Sequence, residues 1–193
     1  TSVGDIKKIQ AIAQTISQSK EAGNDIVVVV SAMGNSTDHL NQLAESISKN
    51  PNSRELDMLL STGEQVTIAL LSMSLNEYGV PAISMTGSQV GIITESIHGK
   101  ARILDIKTER IKNYIEQGFI VVVAGFQGST LSHTGSMEIT TLGRGGSDTS
   151  AVALSTALGA ETCEIYTDVP GVLTTDPRIV PNAKLLDDIS CEE

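Results

Sequence analysis

The sequence has 193 residues, with 13 Lys plus Arg against 23 Asp plus Glu, a net charge of -10 and a pI near 4.7; 40% of residues are hydrophobic and only 3% aromatic. At roughly 150 residues per domain, this is one domain with enough chain to bury a core. Its negative field repels polyphosphate backbones, and the near absence of rings leaves few platforms for bases, which excludes a nucleic-acid module and makes each basic side chain count singly.

The longest apolar runs, 26–30 and 119–124, fall far short of the roughly 20 residues that cross a bilayer. No charged-then-apolar leader opens the sequence. The expectation is a cytosolic protein with no membrane partner. Cys163 and Cys191 form no disulfide framework, and His39, His98 and His133 lack metal-ligand spacing. They read as ordinary buried or surface residues, and no metal-binding residue is expected.

In chain order, Ile6, Ile9, Ile12, Ala13 and Ile16 recur at helical spacing until Gly23-Asn24. The β-branched run 26–30 follows, a strand expected to be covered on both faces and hence part of a parallel sheet. A helix is expected from Thr37 or Asp38, and a second helical stretch over 54–78 with a break at Ser61-Thr62-Gly63. A short strand is expected at 81–85, and a hairpin or flap from Ile92-Ile93-Thr94 and Arg102-Ile103-Leu104. Residues 106–117 read as a helix stopped by Gly118, and 119–124 as a second fully buried strand. A variable-looking polar stretch follows at 129–138. The last unit is Gly143–Gly146, a helix over 147–158, Gly159 and a strand over 162–166. This alternation predicts a doubly wound α/β sheet, with no fixed-period repeat and no linker.

Four segments carry candidate chemistry. Gly143-Arg144-Gly145-Gly146-Ser147-Asp148 opens a helix; adjacent glycines let a ligand approach the backbone, and the free N–H groups and the helix dipole favour phosphate or carboxylate. Arg144 can hold a carboxylate through two parallel hydrogen bonds. The plainer account is a Gly-rich turn capped by Ser147 or Asp148. Asp148 could orient a lysine or meet a Mg²⁺ carried by nucleotide. The segment 167–178, Thr-Asp-Val-Pro-Gly onward, starts at the carboxyl end of an expected strand and reads either as a nucleotide rim or as two tight turns. Ser61-Thr62-Gly63-Glu64 sets a lone carboxylate at a helix start, as a cap or as a receiver of a substrate ammonium. Ser31 to Thr37 follows a buried strand and offers hydroxyls and amides, with N-capping by Ser36 or Thr37 as the plain account. Neither the Gly-Lys-Ser/Thr phosphate loop nor the dinucleotide fingerprint is present, so a different kinase architecture is indicated.

Taken with Thr1-Ser2-Val3, Val29-Val30-Ser31-Ala32-Met33-Gly34 and Val123 to Gly128, the strings Ser61 to Glu64, Thr140-Thr141-Leu142-Gly143-Arg144-Gly145-Gly146-Ser147-Asp148 and Thr167 to Arg178 run in order over essentially the whole chain. Together they resemble the aspartate kinases of the amino acid kinase superfamily. The Ser-Thr-Gly-Glu and Thr-Thr-Leu-Gly-Arg-Gly-Gly-Ser-Asp strings point to that branch, whereas Thr-Asp-Val-Pro-Gly is shared with relatives such as UMP and glutamate 5-kinases. The resemblance implies ATP-dependent phosphorylation of the L-aspartate side chain to 4-phospho-L-aspartate, the entry step to lysine, threonine and methionine synthesis. It also implies a three-layer α/β/α sandwich around an eight-stranded, mainly parallel sheet, and a homo-oligomer.

By the same resemblance, Thr37, Glu64, Arg144 and Ser147 would hold aspartate, with Gly145 and Gly146 in the same substrate loop. Glu64 would face the ammonium and Arg144 a carboxylate, and Asp148 would organise the catalytic lysine. Ser31, Thr167, Asp168, Leu173, Thr174, Asp176, Pro177 and Arg178 would border ATP, which carries Mg²⁺ on its phosphates. The attacking carboxylate is already ionised at neutral pH, so no general base is expected and the chemistry reduces to positioning and charge neutralisation.

In the resembled family a Lys-Phe-Gly-Gly precedes the residues matching Thr1-Ser2, and a second lysine lies beyond the position of Glu193. The expectation is therefore a single kinase domain over 1–193 that lacks its first strand and C-terminal end, carries no ACT domain and turns over little by itself. Leu173 stands where an aromatic is common. The competing readings are a sister kinase acting on glutamate, acetylglutamate or UMP, and a non-catalytic assembly or ligand-sensing fragment.

Overall fold

The computed structural model describes residues 2–132, 135–167, 171–176, 178–186 and 188–190. The chain alternates helices and strands: α1 (Ile6–Glu21), β1 (Val27–Val30), α2 (Ser36–Ile47), α3 (Ser53–Leu60), α4 (Thr62–Glu77), β2 (Ala82–Met85), β3 (Ile92–Thr94), β4 (Ile103–Ile106), α5 (Glu109–Glu116), β5 (Ile120–Ala124), β6 (Gln127–Leu131), β7 (Met137–Thr141) and α6 (Gly146–Leu158).

The central sheet is parallel, in the order β1-β5-β2. β5 is buried along its whole length, and its two faces feed two cores. Ile120, Val122 and Ala124 pack with Ile9, Ala13, Ile68, Leu71 and Leu75 of α1 and α4. Val121 and Val123 pack with Ile111 of α5 and Leu154 of α6. The period-2 alternation of side chains thus makes one strand the shared wall of a three-layer α/β/α arrangement. β1 is only half-buried over its first three residues. Helices cover both its faces as its sequence predicts, but it stands at the sheet edge.

Local signals start and stop the helices. The Asp5 side chain accepts from the Lys8 N–H and caps α1, and Asn52 caps α3 by accepting from Arg54 and Glu55. The expected break falls at Ser61, where α3 hands over to α4. Residues 53–77 form the one segment among the described residues long and apolar enough to cross a membrane. It is half-buried within the fold, divided at Ser61, and carries the buried carboxylates Asp57 and Glu64.

Two expectations, the helix start at Ile106 and the strand over 162–166, are corrected, and two further features are added. Half of the polar 129–138 stretch lies in the strands of the antiparallel hairpin β6–β7, with Gln127 opposite Thr141 and Leu131 opposite Met137. Hydropathy misses it because hydroxyls do the packing: Thr94 Oγ1 and Thr140 Oγ1 are 2.6 Å apart, and Ser129 and Thr130 are buried. Ile106 ends β4 opposite Ile92 instead of opening the helix, which starts at Glu109; a cross-strand pair outweighs helical periodicity there. Residues 162–166 form no strand: Ile165 and Tyr166 are 48% and 68% exposed, and the described backbone contact there is a hydrogen bond from Ser2 Oγ to the Tyr166 carbonyl. A β-prone run without a pairing partner stays irregular. Finally, the described residues hold seven strands in two groups within the expected three-layer α/β/α arrangement. The second group, β4-β3-β6-β7, is mixed.

Candidate active site

The ends of β1 and β5 meet the starts of α4 and α6, as expected for a ligand site in an open α/β sheet. Glu64, in the first turn of α4, is 3% exposed. Its Oε1 accepts from the Ala32 N–H just beyond β1 at 3.1 Å, while Oε2 is buried with no hydrogen-bond partner. This contact needs Gly63: a Cβ there would lie 2.9 Å from the Ala32 Cβ. Burial pushes the Glu64 carboxyl up to about 7, against the pull of its own N–H and that of Ala32. The capping reading fails: Ser61 is the N-cap but makes no side-chain cap bond, and Glu64 points into the protein instead of back to the helix start.

Gly125 follows β5, and its N–H donates to the Val30 carbonyl, holding the ends of β1 and β5 level. Phe126 follows with φ 66°, a left-handed conformation rare for a non-glycine residue. Its N–H donates to Ser150 Oγ of α6, which donates in turn to the Gly146 carbonyl, and its own carbonyl accepts from Leu142 N–H. These bonds fix the loop 142–146 over the end of β5. α6 starts from Gly145 at φ 71°, with no side-chain cap, so the expected caps Ser147 and Asp148 are both replaced by glycine backbone. Gly146 N–H donates to Gly143 and Thr149 N–H to Gly145. Among the described residues the amides of Ser147 and Asp148 have no acceptor, which leaves the positive end of a 13-residue helix open to an anion. Arg144 and Asp148 are exposed beside them, and Arg144 forms no ion pair among the described residues.

Close packing sets the approach of the two halves. A Cβ on Gly125 would lie 2.8 Å from Ser147 Oγ and 2.9 Å from its Cα. Gly125→Ala is therefore expected to push α6 away from β5 and to destabilise the fold by about 1–3 kcal/mol, read by urea denaturation. An unchanged midpoint would mean that the contact yields freely.

Other expected site residues fall around this core or apart from it. Ser31, on the β1–α2 connection, and Thr37, in the first turn of α2, are half-buried. α2 is N-capped by Asn35 without a side-chain bond, while Ser36 Oγ donates to the Met33 carbonyl, so neither Ser36 nor Thr37 caps it. In the expected nucleotide rim, Leu173 bridges Leu185, Thr174 Oγ1 accepts from Lys184 N–H, and Arg178 grips Asp176 through Nε and Nη2. Among the described residues no hydrogen bond or ion pair ties 171–186 to Glu64 or Arg144. Thr167 is exposed; Asp168, Pro177, His133 and Cys191 lie outside the described residues. Cys163 is a free, exposed thiol. No cluster of three or more His, Cys, Asp or Glu suited to a metal occurs among the described residues.

Sequence reasoning missed the Ala32 amide, Phe126, Ser150, and Gln127, whose Nε2 donates to the Ser61 carbonyl behind Glu64. A polar residue directly after an apolar strand and Gly125-Phe126 was the available signal for Gln127.

The chain is 60% identical over all its 193 residues to an aspartokinase of Geobacillus stearothermophilus, and those residues span 46% of that protein's length. Among solved structures, it is similar to the aspartate kinase from Synechocystis, with 59% identity, a TM-score of 0.83, and coverage of 100% of this chain and 31% of that one. It is also similar to E. coli aspartokinase III in complex with aspartate and ADP, with 26% identity, a TM-score of 0.80, and coverage of 97% and 52%. The chain spans about half the length or less of these relatives. The family model described as amino acid kinase family matches residues 1–193, and with the sheet, the glycine-backed helix start and the buried Glu64 in place, this chain belongs to that family.

Proposed function

We propose that this chain forms kinase machinery that transfers the γ-phosphoryl group of ATP to the side-chain carboxylate of L-aspartate, giving 4-phospho-L-aspartate and ADP. The observation that carries this reading is the buried Glu64, whose Oε1 is held by the Ala32 N–H just beyond β1 and whose Oε2 is left without a partner. An orphaned carboxylate oxygen in a dry site favours a cationic ligand group, and an α-ammonium meets that need. Arg144 supplies the complementary fork for a carboxylate, and the amides of Ser147 and Asp148 face whichever anion lies over the helix start. Thr37, Gly145, Gly146 and Ser147 complete the acceptor pocket.

In the transfer, a side-chain carboxylate oxygen forms a bond to the γ-phosphorus while the bond from that phosphorus to the β–γ bridging oxygen breaks, and ADP leaves with the electron pair. No proton moves, so the residues position two anions and offset their charge. Ser31, Thr167, Asp168, Leu173, Thr174, Asp176, Pro177 and Arg178 are assigned to the nucleotide, and Asp148 to the catalytic lysine. Mg²⁺ fits as an ion carried by the phosphates, with Asp148 exposed beside the helix start to meet it; when bound, it supplies charge neutralisation. The complex of aspartokinase III with aspartate and ADP supports this acceptor and donor.

The test uses the protein as its natural gene encodes it. With ATP and Mg²⁺, hydroxylamine should trap an acyl phosphate when aspartate is supplied, but not with glutamate or acetylglutamate, and UMP should release no ADP. Turnover with one of those acceptors and none with aspartate would replace this reading.

A further inference from the structure

Asp57 is fully buried on α3, apart from the acceptor residues, yet three groups from two separate segments converge on its carboxylate. Thr141 Oγ1, at the end of β7, donates to Oδ1 at 2.6 Å. His98 Nδ1 lies 2.7 Å from Oδ2, and Gly99 N–H donates to both oxygens at 3.0 and 3.1 Å. The far side of the His98 ring faces Glu138, with Nε2 3.6 Å from Oε2. A buried carboxylate so fully satisfied binds its donors rigidly.

What hangs from those donors is the site. Thr141 lies three residues before Arg144, and its carbonyl accepts from Ala101 N–H. The 98–101 loop packs on the Arg144 loop: a Cβ at Gly143 would be 3.4 Å from the Gly99 carbonyl and 3.8 Å from the Lys100 Cα. Asp57 itself sits one turn before Ser61, whose N–H donates to the Asp57 carbonyl, and α4 with Glu64 begins directly after. One carboxylate therefore couples the element that carries Glu64 to the loop that carries Arg144.

We infer that Asp57 is a positioning residue that sets the spacing between Glu64 and Arg144, and so fixes the length of the amino-acid acceptor. The inference rests on the acceptor roles given above to those two residues. Its consequence is selective: loosening the clasp impairs the grip on the acceptor while the nucleotide, held by other segments, is bound as before.

The protein as its natural gene encodes it is the test material. Thr141→Val removes one donor without changing side-chain shape; the KM for aspartate should rise about tenfold or more with the KM for ATP within about twofold, and Thr141→Ser should restore it. Asp57→Asn should act in the same direction more strongly; should it fail to fold, the Thr141 pair decides. Independently of activity, amide hydrogen exchange over 142–147 should quicken in Thr141→Val. A Val variant with both KM values and the exchange unchanged, or a Ser variant as impaired as Val, overturns the positioning role. If another amino acid proves to be the acceptor, the aspartate assignment falls, while that acceptor's KM and the exchange still judge Asp57.

Discussion

Replacing Arg144 by alanine should raise the KM for aspartate by about two orders of magnitude, while the KM for ATP stays within about threefold, since a hydrogen-bonded charge contact carries about 1.5–3 kcal/mol and the proposed one is made to the acceptor alone. The physical basis is position and freedom. Arg144 stands in a glycine-flanked loop at the start of α6, exposed and without an ion-pair partner among the described residues, so its guanidinium is available to a ligand. Lysine should recover only part of the loss: it keeps the charge but gives up the planar fork that meets both carboxylate oxygens together. Steady-state kinetics with each substrate varied in turn separates the cases. An unchanged aspartate KM in the alanine variant would remove Arg144 from the acceptor pocket.

Glu64→Gln should have two large effects of opposite kind: weaker aspartate binding, and a more stable protein at alkaline pH. Burial raises the Glu64 carboxyl from 4.5 to about 7 in the folded chain. Between those values the folded state holds a proton that the unfolded state has released, so stability falls as pH rises through this window and is fully reduced above about 7. At about 1.4 kcal/mol per unit, the loss amounts to about 3 kcal/mol. Glutamine does not ionise and keeps an acceptor for Ala32 N–H, but sets an NH₂ where Oε2 lay unpartnered. The expected net gain at pH 8 is therefore about 1–2 kcal/mol, with a flatter stability profile between pH 5 and 7. Urea denaturation at several pH values measures it, and identical slopes in parent and variant would refute the cause given. In the parent, aspartate affinity should fall as pH drops below about 7, because the proton then occupies the place of the ammonium.

What could be read from the sequence followed the range of the forces involved. Gly63 after Ser61-Thr62, Gly118 and the Gly143 to Gly146 run act on their own backbone, and the helix boundaries near them came out within a residue or two. β5 was legible because an unbroken β-branched run needs cover on both faces. The β6–β7 hairpin was not, since its buried side carries threonine and serine hydroxyls, of which Thr140 meets Thr94 and Thr141 meets Asp57 only after folding. Residues 162–166 were overread because strand propensity does not supply a neighbour. In the site, Glu64 stood out as a lone carboxylate among small residues. The Ala32 amide and the Asp57–His98 pair could not be seen, because each depends on which segments fold side by side, whereas Gln127 left a signal in its polar character after an apolar strand. The nucleotide assignments on 167–178 rest on resemblance, and in part on residues outside those described.

The parallel pairing of the central sheet also governs how the chain acquires its shape. Val27 joins Val121, and Ala82 joins Ile120, so among the described residues neither β1 nor β2 has a ladder partner until β5 has been synthesised. Closing such long loops delays the productive contacts. Through much of translation the nascent chain accordingly presents two unpaired β-branched or apolar edges, the period in which chaperone capture competes with self-association.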